Sequence, residues 1–198
     1  NSNSADTGFT PFSHQKLVRD YMASPMSPYR GLLLYHGLGS GKTCASIMIS
    51  EGLIKLHNKK CVVLIPASLR GNFIAKGLEF CADDRYKTNQ KWERNYTFVS
   101  YNASNVKKQV EALGSFDDKV VIIEEVHNLV SRITSSLLGN SVNGRYIYEK
   151  LMEAKNCKII ALSGTPLINT PAELAILFNI LRGNIEMTVF RIMEIGNK

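Results

Sequence analysis

An apolar run that breaks into closely spaced glycines is the feature that most restricts the fold of this chain. Residues 32–46 read LLLYHGLGSGKTCAS, in which a loop with three glycines separates the apolar run from Lys42, Thr43 and small residues that suit a helix. The octet His36–Thr43 matches the phosphate-loop pattern GxxxxGK[ST] except at its first position, where histidine replaces glycine. The order strand, glycine loop, helix predicts an α/β chain with a phosphate site at a helix start.

This loop has the residue types that hold a polyphosphate. Gly39 and Gly41 let the backbone turn its N–H groups inward at little steric cost, and the start of the following helix attracts negative charge. In this pattern Lys42 reaches the β and γ phosphates and Thr43 offers its hydroxyl to Mg²⁺. A glycine-rich turn before a surface lysine is the alternative. The other residues assigned to the nucleotide are Gly37, Leu38 and Ser40.

Short apolar runs alternate with amphipathic stretches along the whole chain. Strands are expected at 32–35, 62–65, 97–99, 120–123 and 158–162, and helices at 42–56, 68–80, 105–113, 146–154 and 171–181. Thr170 is expected to cap the last helix, with Pro171 at its first position. Strands that are apolar on both faces predict a mostly parallel sheet covered by helices on both sides, which binds ligands at the carboxyl ends of its strands.

A second polar motif follows the apolar run 120–123, where the sequence continues with Glu124 and Glu125. The carboxyl ends of parallel strands share one edge of the sheet, so these acids are expected beside the phosphate loop. One acid can hold Mg²⁺, and the other can orient and deprotonate an attacking water. An ordinary strand end that reaches solvent is the alternative.

Composition narrows the partners and the compartment. The net charge of +7 suits a polyanionic partner such as nucleic acid, although a merely basic surface gives the same value. Four cysteines, at 44, 61, 81 and 157, are far apart and form no CxxC pair, which indicates neither zinc nor a redox motif and predicts an intracellular, reducing compartment. The apolar runs fall well short of the roughly 18–20 residues that cross a bilayer, so no membrane partner is expected.

Five segments, in order along the chain, resemble motifs of the superfamily 2 helicases. They are TPFSHQ at 10–15 (the adenine-reading segment), VVLIPASLRGNF at 62–73 (motif Ia), FVSYN at 98–102 (motif Ib or Ic), EEVH at 124–127 (the DExH motif) and LSGTP at 162–166 (motif III). The chain is also similar to helicase-like NTPases of large nucleocytoplasmic DNA viruses, including the poxvirus nucleoside triphosphatase I and early transcription factor groups. A bacterial or phage restriction-type motor is the alternative within the superfamily.

The resemblance implies a RecA-like P-loop NTPase lobe that uses ATP and Mg²⁺. It assigns Glu124 to the metal together with Thr43, and Glu125 to the general base. His127 is then expected to couple the nucleotide site to motif III. The residues of motif III are Ser163, Gly164 and Thr165, and the adenine is assigned to Gln15 with Phe12 as a stacking neighbour.

The resemblance also implies movement on nucleic acid, DNA rather than RNA, in a helicase or translocase with the transcription machinery as a candidate partner. A viral origin places such a protein in the host cytoplasm or the virion. The residues assigned to the nucleic-acid backbone are Ser68, Arg70, Asn72, Ser100 and Tyr101. The stretch 85–95, which contains Tyr86 and Trp92, is expected either to stack bases or to form a solvated loop around one packed tryptophan.

One residue departs from the family pattern, because Glu124 stands where the first acid of the motif is usually aspartate. Its extra methylene adds about 1.5 Å of reach, the length of one C–C bond. Mg²⁺ is strict about geometry, so a shifted or weakened metal shell is expected while nucleotide binding is retained.

Only one lobe of a two-lobed motor is recognisable. Residues 1–8 are expected to be a flexible tail, 9–183 the ATP-binding domain, and 184–198 the start of a linker to a second RecA-like lobe. That lobe would supply an arginine finger, which contributes about 10³–10⁵ in rate in related NTPases. The single lobe is therefore expected to hydrolyse ATP very slowly and not to translocate.

Two other functions fit parts of the pattern. In a nucleotide-dependent regulatory or scaffolding module, Glu124 would mark a weakened site and ATP would act as a conformational switch. In a P-loop phosphotransferase, a phosphoryl group would pass to a small molecule, but such an enzyme has no need of the motif III and motif Ia segments.

Overall fold

The computed structural model describes residues 12–24, 26–35, 37, 41–82, 91–139, 142–165 and 169–183. Its centre is a five-stranded sheet in which every pairing is parallel, in the order β1-β5-β4-β2-β3. The strands are β1 (Gly31–Tyr35), β2 (Lys60–Ile65), β3 (Tyr96–Ser100), β4 (Lys119–Ile123) and β5 (Lys158–Ser163). All five predicted strands are confirmed; β1, β4 and β5 are one residue longer than predicted, and β2 and β3 are two residues longer.

Eight α-helices lie among the described residues. They are α1 (Ser13–Ala23), α2 (Lys42–His57), α3 (Arg70–Asn72), α4 (Glu79–Cys81), α5 (Val106–Leu113), α6 (Val126–Leu137), α7 (Asn143–Glu153) and α8 (Pro171–Arg182). A 3₁₀ turn (Ala67–Leu69) and a π-helix (Phe73–Leu78) join α3 and α4 into one helical segment, residues 67–81. A second 3₁₀ turn, Lys91–Arg94, precedes β3.

The sheet is covered on both faces, as predicted from its apolar strands. Along β4, Val121 and Ile123 face the cluster that contains α5, α6, α7 and α8, whereas Val120 and Ile122 face the cluster that contains α1, α2 and the 67–81 segment. These four side chains have no exposed surface. The mostly parallel α/β architecture is therefore confirmed, and the residues that follow β2, β4 and β5 lie at one edge of the sheet, its carboxyl edge.

Two helices were missed by the sequence prediction. The α6 helix buries Val126, Leu129, Val130 and Ile133, spaced as i, i+3, i+4 and i+7, which is a strong helical signal directly after the acid pair. The α1 helix buries few side chains, so its apolar spacing is weak.

The 67–81 segment is less regular than the single helix predicted for 68–80. Its π-helical turn contains Gly77, where an added Cβ would lie 2.9 Å from Ile47 Cδ1 and 3.1 Å from Thr43 Cγ2. The absence of a side chain at this position allows the segment to pack directly against the start of α2. Turns of π-helix are frequent at functional sites.

The four cysteines form one pair and two single thiols. Cys44 and Cys81 form a disulfide across 37 residues, with their Cα atoms 5.3 Å apart. No sequence pattern indicates this pair, because α2 and α4 are distant in sequence and pack side by side only in the fold. Cys61 and Cys157 are buried free thiols.

Several other predictions concern residues that the structure does not describe. The predicted tail 1–8 and linker 184–198 lie outside the described residues, as do Thr10, Tyr86 and Pro166. Within the described ranges, no helix is long and apolar enough to cross a bilayer.

Candidate nucleotide-binding site

The end of the phosphate loop and the acid pair meet at the carboxyl edge of the sheet. Thr43, in the first turn of α2, donates its hydroxyl to Glu124 Oε1 at 3.0 Å, although 81 residues separate the two. Glu124 directly follows β4, and its backbone N–H donates to the carbonyl of Leu64 at 2.9 Å. The sheet thus brings together the two motifs that sequence reasoning placed beside each other.

The residue directly before α2, Gly41, has a conformation and surroundings that require glycine. Gly41 has φ +76°, in the left-handed region, and an added Cβ would lie 2.8 Å from Gln15 Nε2. Gln15 is 1% exposed; its amide donates to the Gly41 carbonyl at 3.2 Å and its oxygen accepts the Phe12 N–H at 3.0 Å. Gln15 therefore supports the phosphate loop directly, and its predicted role toward adenine stays a prediction.

The loop lysine lies at the helix start. Lys42 Nζ donates to the carbonyl of Gly37 at 2.9 Å, across the loop. Its charge is therefore held at the α2 N-terminus, where backbone N–H groups also favour an anion. The rest of the predicted loop, which consists of His36, Leu38, Gly39 and Ser40, lies outside the described residues.

The carboxyl group of Glu124 has a raised pKa. Burial raises its pKa to about 7, the adjacent Glu125 adds to the rise, and the Thr43 hydrogen bond and the Lys42 charge oppose it. A cation bound close by would favour the charged form of this carboxyl group.

The donor set fits Mg²⁺. The Thr43 hydroxyl and the Glu124 carboxylate are hard oxygen ligands, the type that Mg²⁺ prefers, and they lie next to each other. Across the described ranges no group of three or more His, Cys, Asp and Glu side chains is placed to hold a metal. This agrees with the usual mode of Mg²⁺ binding, which takes one or two protein oxygens and completes its shell with water and substrate phosphates.

Glu125 occupies a strained turn between β4 and α6. Its φ and ψ are 49° and 53°, in the left-handed region that costs a non-glycine residue of the order of 1–3 kcal/mol. Tyr101 stabilises the turn, because its hydroxyl lies 3.0 Å from the Glu124 carbonyl and 3.3 Å from the Glu125 carbonyl and can donate to either. The N–H of Asn128 also donates to the Glu125 carbonyl, at 2.8 Å.

His127 connects this turn to the third motif. Its Nδ1 lies 3.3 Å from Glu125 Oε2, 3.1 Å from Ser163 Oγ and 3.2 Å from Thr165 Oγ1. The Ser163 hydroxyl donates to the Thr165 carbonyl at 2.9 Å, which folds the chain around Gly164. The geometry therefore has the connection between acid pair and motif III that the family resemblance implies.

A cavity of about 430 Å³ opens in front of these residues. Its walls include Thr43, both acids and, from the 67–81 segment, Asn72 and Lys76. Lys76 was not identified from the sequence, where it is one lysine among many. Asn72, assigned to nucleic acid from the family resemblance, also lines this cavity, and that assignment stays a prediction.

The other residues assigned to nucleic acid follow two neighbouring strands, β2 and β3. The Arg70 guanidinium lies 5.1 Å above the ring of Phe98, while Ser68 is exposed. The backbone N–H of Ser100 donates to Gln109 Oε1 at 2.9 Å. Tyr101 is only 2% exposed and its hydroxyl donates toward the acid turn, so the side chain has a structural role there, and its contact with nucleic acid stays a prediction.

The tryptophan of the stretch 85–95 is buried in the protein. Trp92 is 5% exposed and packs edge-on against Phe98, with ring centroids 5.5 Å apart. Of the two interpretations of this stretch, the structure supports the packed tryptophan and excludes Trp92 as a base-stacking platform.

Comparison with known proteins identifies the family. The family model described as "Type III restriction enzyme, res subunit" matches residues 9–168. The termination factor NPH-I homolog of African swine fever virus is 36% identical over 163 residues, covering 79% of this chain and 23% of the relative. The putative ATP-dependent RNA helicase R350 of Acanthamoeba polyphaga mimivirus is 37% identical over 191 residues, covering 87% of this chain and 23% of the relative. The chain thus spans about a quarter of the length of these relatives.

Solved structures show the same fold. The Sulfolobus solfataricus SWI2/SNF2 ATPase core in complex with dsDNA matches with a TM-score of 0.61 at 21% identity, over 87% of this chain and 36% of that one. The Pyrococcus furiosus Hef helicase domain matches with a TM-score of 0.60 at 19% identity, over 86% of this chain and 36% of that one. Because the family model matches most of the chain, the chain belongs to the family described as "Type III restriction enzyme, res subunit".

Proposed function

We propose that this chain is the ATP-binding lobe of a nucleic-acid-dependent ATPase that couples Mg-ATP hydrolysis to movement on DNA or RNA. The observation that carries the proposal is the 3.0 Å hydrogen bond between Thr43 and Glu124, which joins the phosphate loop to the acid pair. A surface lysine after an ordinary glycine turn does not explain this contact. Family membership makes a phosphotransferase the weaker assignment.

The reaction follows from the side chains around the cavity. The triphosphate lies along the α2 N-terminus, and Lys42 neutralises charge on its β and γ phosphates. Glu125 takes a proton from the water that attacks the γ phosphorus, and the bond from that phosphorus to the β–γ bridging oxygen breaks, which releases ADP and phosphate. Mg²⁺ held by Thr43 and Glu124 would supply charge stabilisation on the phosphates.

The same proposal treats the chain as half of a motor. The ATP-binding domain is assigned to residues 9–183, with residues 184–198 leading toward a second lobe, and the matched region is 23% of each of the two viral relatives described above. Without the arginine finger of that lobe, hydrolysis by this chain is expected to be slower by a factor of about 10³–10⁵.

The partner is proposed to be a polynucleotide, DNA rather than RNA, encountered inside the cell or the virion. The net charge of +7 favours a polyanion. One solved relative of this fold holds dsDNA, and one sequence relative is named a termination factor, which favours a role beside the transcription machinery.

The test is Mg-ATP binding and turnover by the chain, with Lys42→Ala as the reference variant. A fluorescent ATP analogue should saturate the wild type and bind at least tenfold more weakly to Lys42→Ala, because that lysine lies in the phosphate loop. Hydrolysis should stay close to that of Lys42→Ala with no polymer, single-stranded DNA, duplex DNA or RNA. Absence of nucleotide binding would refute the ATP site, and robust turnover at low protein concentration would refute the half-motor.

One observation favours a regulatory module as the second candidate. Glu124 is longer than the usual aspartate and has a pKa near neutrality, which suits a site that binds nucleotide with little hydrolysis. Joining the chain to a second lobe and replacing Glu125→Gln separates the two functions. A large loss of turnover supports the motor, and unchanged turnover supports the switch.

A further inference from the structure

The nucleotide cavity has a second positive charge besides that of the phosphate loop. Among the described residues, the lysines that line it are Lys42 and Lys76, the latter from the 67–81 segment. Lys76 is exposed and forms no ion pair with any residue that the structure describes. Its ammonium group stands on a flexible four-carbon stem, so it is free to bind an anion inside the cavity.

The 67–81 segment is fixed to the start of α2 at two points close to Lys76. An added Cβ at Gly77 would lie 3.1 Å from Thr43 Cγ2, so the backbone next to Lys76 is in close contact with the first turn of α2. A few residues further along, Cys81 is joined by its disulfide to the residue that directly follows Thr43. The backbone at Lys76 is therefore held beside Thr43, and its position is set before any ligand binds.

The wall that this segment gives to the cavity is polar only in part. The wall residues are Leu69, Asn72, Phe73, Lys76 and Gly77, which follow i, i+3, i+4, i+7 and i+8 along one side of the segment. Phe73 and Gly77 are buried, whereas Asn72 and Lys76 are exposed. Lys76 is thus the charged group of this wall.

The γ phosphate of ATP is the anion that this lysine is placed to meet. Thr43 and Glu124, the residues proposed to hold Mg²⁺, and Glu125, the proposed base, belong at the γ end of the nucleotide, and all three line the same cavity as Lys76. Resting on the proposed function, we propose that Lys76 binds the γ phosphate and thereby makes the site select ATP over ADP. With ADP in the site, the ammonium group has no phosphate partner.

Lys76 and Lys42 then have different tasks. Lys42 lies in the phosphate loop and reaches both the β and the γ phosphate, so its loss should weaken the binding of ATP and of ADP. Lys76 approaches from a separate wall and meets only the last phosphate. The ratio of the two nucleotide affinities therefore separates the lysines, and a merely structural role of Lys76 would not change this ratio.

The test is isothermal titration calorimetry of the purified chain with Mg-ATP and with Mg-ADP. The wild type should bind ATP more tightly than ADP. Lys76→Met keeps an unbranched stem and removes the charge; it should weaken ATP binding about tenfold, as the loss of one charge-assisted hydrogen bond does, and leave ADP binding unchanged. Lys76→Arg should retain the preference, because a guanidinium also pairs with phosphate. The matched control, Lys108→Met, changes an exposed lysine of α5 and should bind both nucleotides as the wild type does.

Beryllium fluoride gives a second readout, because it occupies the γ-phosphate position when it binds together with ADP. It should tighten ADP binding by the wild type and by Lys108→Met, and should have much less effect on Lys76→Met. An equal effect on all three proteins would show that Lys76 does not meet the group in this position.

The outcomes separate this inference from the proposed function. Equal wild-type affinities for ATP and ADP, equal weakening of both nucleotides in Lys76→Met, or unchanged binding of both would each overturn the role of Lys76 and leave the ATP site intact. Absence of ATP binding by the wild type would overturn the proposed function itself. An unchanged ADP affinity also shows that the variant is folded.

Discussion

At the scale of single residues, the site is defined by side chains in unusual environments. Glu124 is largely buried beside a second acid, and Glu125 holds a left-handed backbone conformation. The sequence was sufficient to find both, because two acids after an apolar strand are a strong signal. It could not reveal that burial raises the pKa of one of them, since that depends on what packs over the carboxyl group.

The raised pKa of Glu124 predicts a pH dependence of stability. Its ordinary value is 4.5 and its folded value is about 7, so the folded chain binds more protons between these values and its unfolding free energy falls as the pH rises through this window. The loss should be a few kcal/mol at most, by the usual conversion of pKa shifts. Melting curves of the wild type and Glu124→Gln from pH 4 to 8 should diverge with pH, and parallel curves would contradict the assignment.

Alanine substitutions at Gly41 and Gly114 should separate the cost of backbone strain from the loss of nucleotide binding. Alanine at Gly41 or at Gly114 meets an unfavourable positive φ, but only at Gly41 would the Cβ also clash with Gln15. Both variants should lose of the order of 1 kcal/mol of stability from backbone strain. Only Gly41→Ala should also lose affinity for a fluorescent ATP analogue. Equal nucleotide binding by the two variants would argue against a supporting role for Gln15.

At the scale of elements, the strands were predictable and the irregular helix was not. Strands apolar on both faces have few alternatives to a covered parallel sheet, and that sheet fixes where the polar ends meet. The π-helical turn of the 67–81 segment depends on contact between Gly77 and Thr43, which no local pattern records. The α6 helix does have a readable pattern, because its buried apolar residues follow i, i+3, i+4 and i+7.

The pairing of α2 with α4 predicts a redox effect on stability. A disulfide that closes a loop of 37 residues contributes about 3–4 kcal/mol in the chain-entropy account. Reductant should therefore lower the denaturant midpoint of the wild type and leave that of a Cys44→Ser, Cys81→Ser double variant unchanged. Mass spectrometry without reductant should find Cys44 and Cys81 in one linked peptide pair; two free thiols would contradict the pairing.

At the scale of the whole molecule, the parallel fold and the meeting of the phosphate loop with the acid pair followed from motif order, whereas the directions of the side chains assigned to nucleic acid did not. Motif residues near the sheet edge point in several directions, as Arg70, Asn72 and Tyr101 show by lying against Phe98, the nucleotide cavity and the acid turn. A side chain's direction depends on packing, so a motif match predicts where a segment lies and leaves its contacts open.

Ligand linkage gives a prediction for the entire chain. A ligand that binds only the folded state adds about 2.7 kcal/mol of stability at 100 times its Kd, which is about 5–11 °C in Tm for a chain of this size. Mg-ATP should produce such a shift in the wild type and in Lys108→Ala, whose exposed lysine lies on α5. Lys42→Ala should show little or none; an equal shift would place the nucleotide elsewhere.

The His127 ring cannot make all of its hydrogen bonds at once. Three oxygens surround Nδ1, from Glu125, Ser163 and Thr165, yet a ring nitrogen carries either one proton or one lone pair. With the proton on Nδ1 the ring holds the Glu125 carboxylate, and with the proton on Nε2 it accepts a hydroxyl from motif III. These two states are mutually exclusive. On the proposed function, Glu125 takes a proton from water and loses the charge that attracts Nδ1–H. We then expect the ring to turn toward motif III, so that a tautomer exchange reports the chemical step to the neighbouring strand.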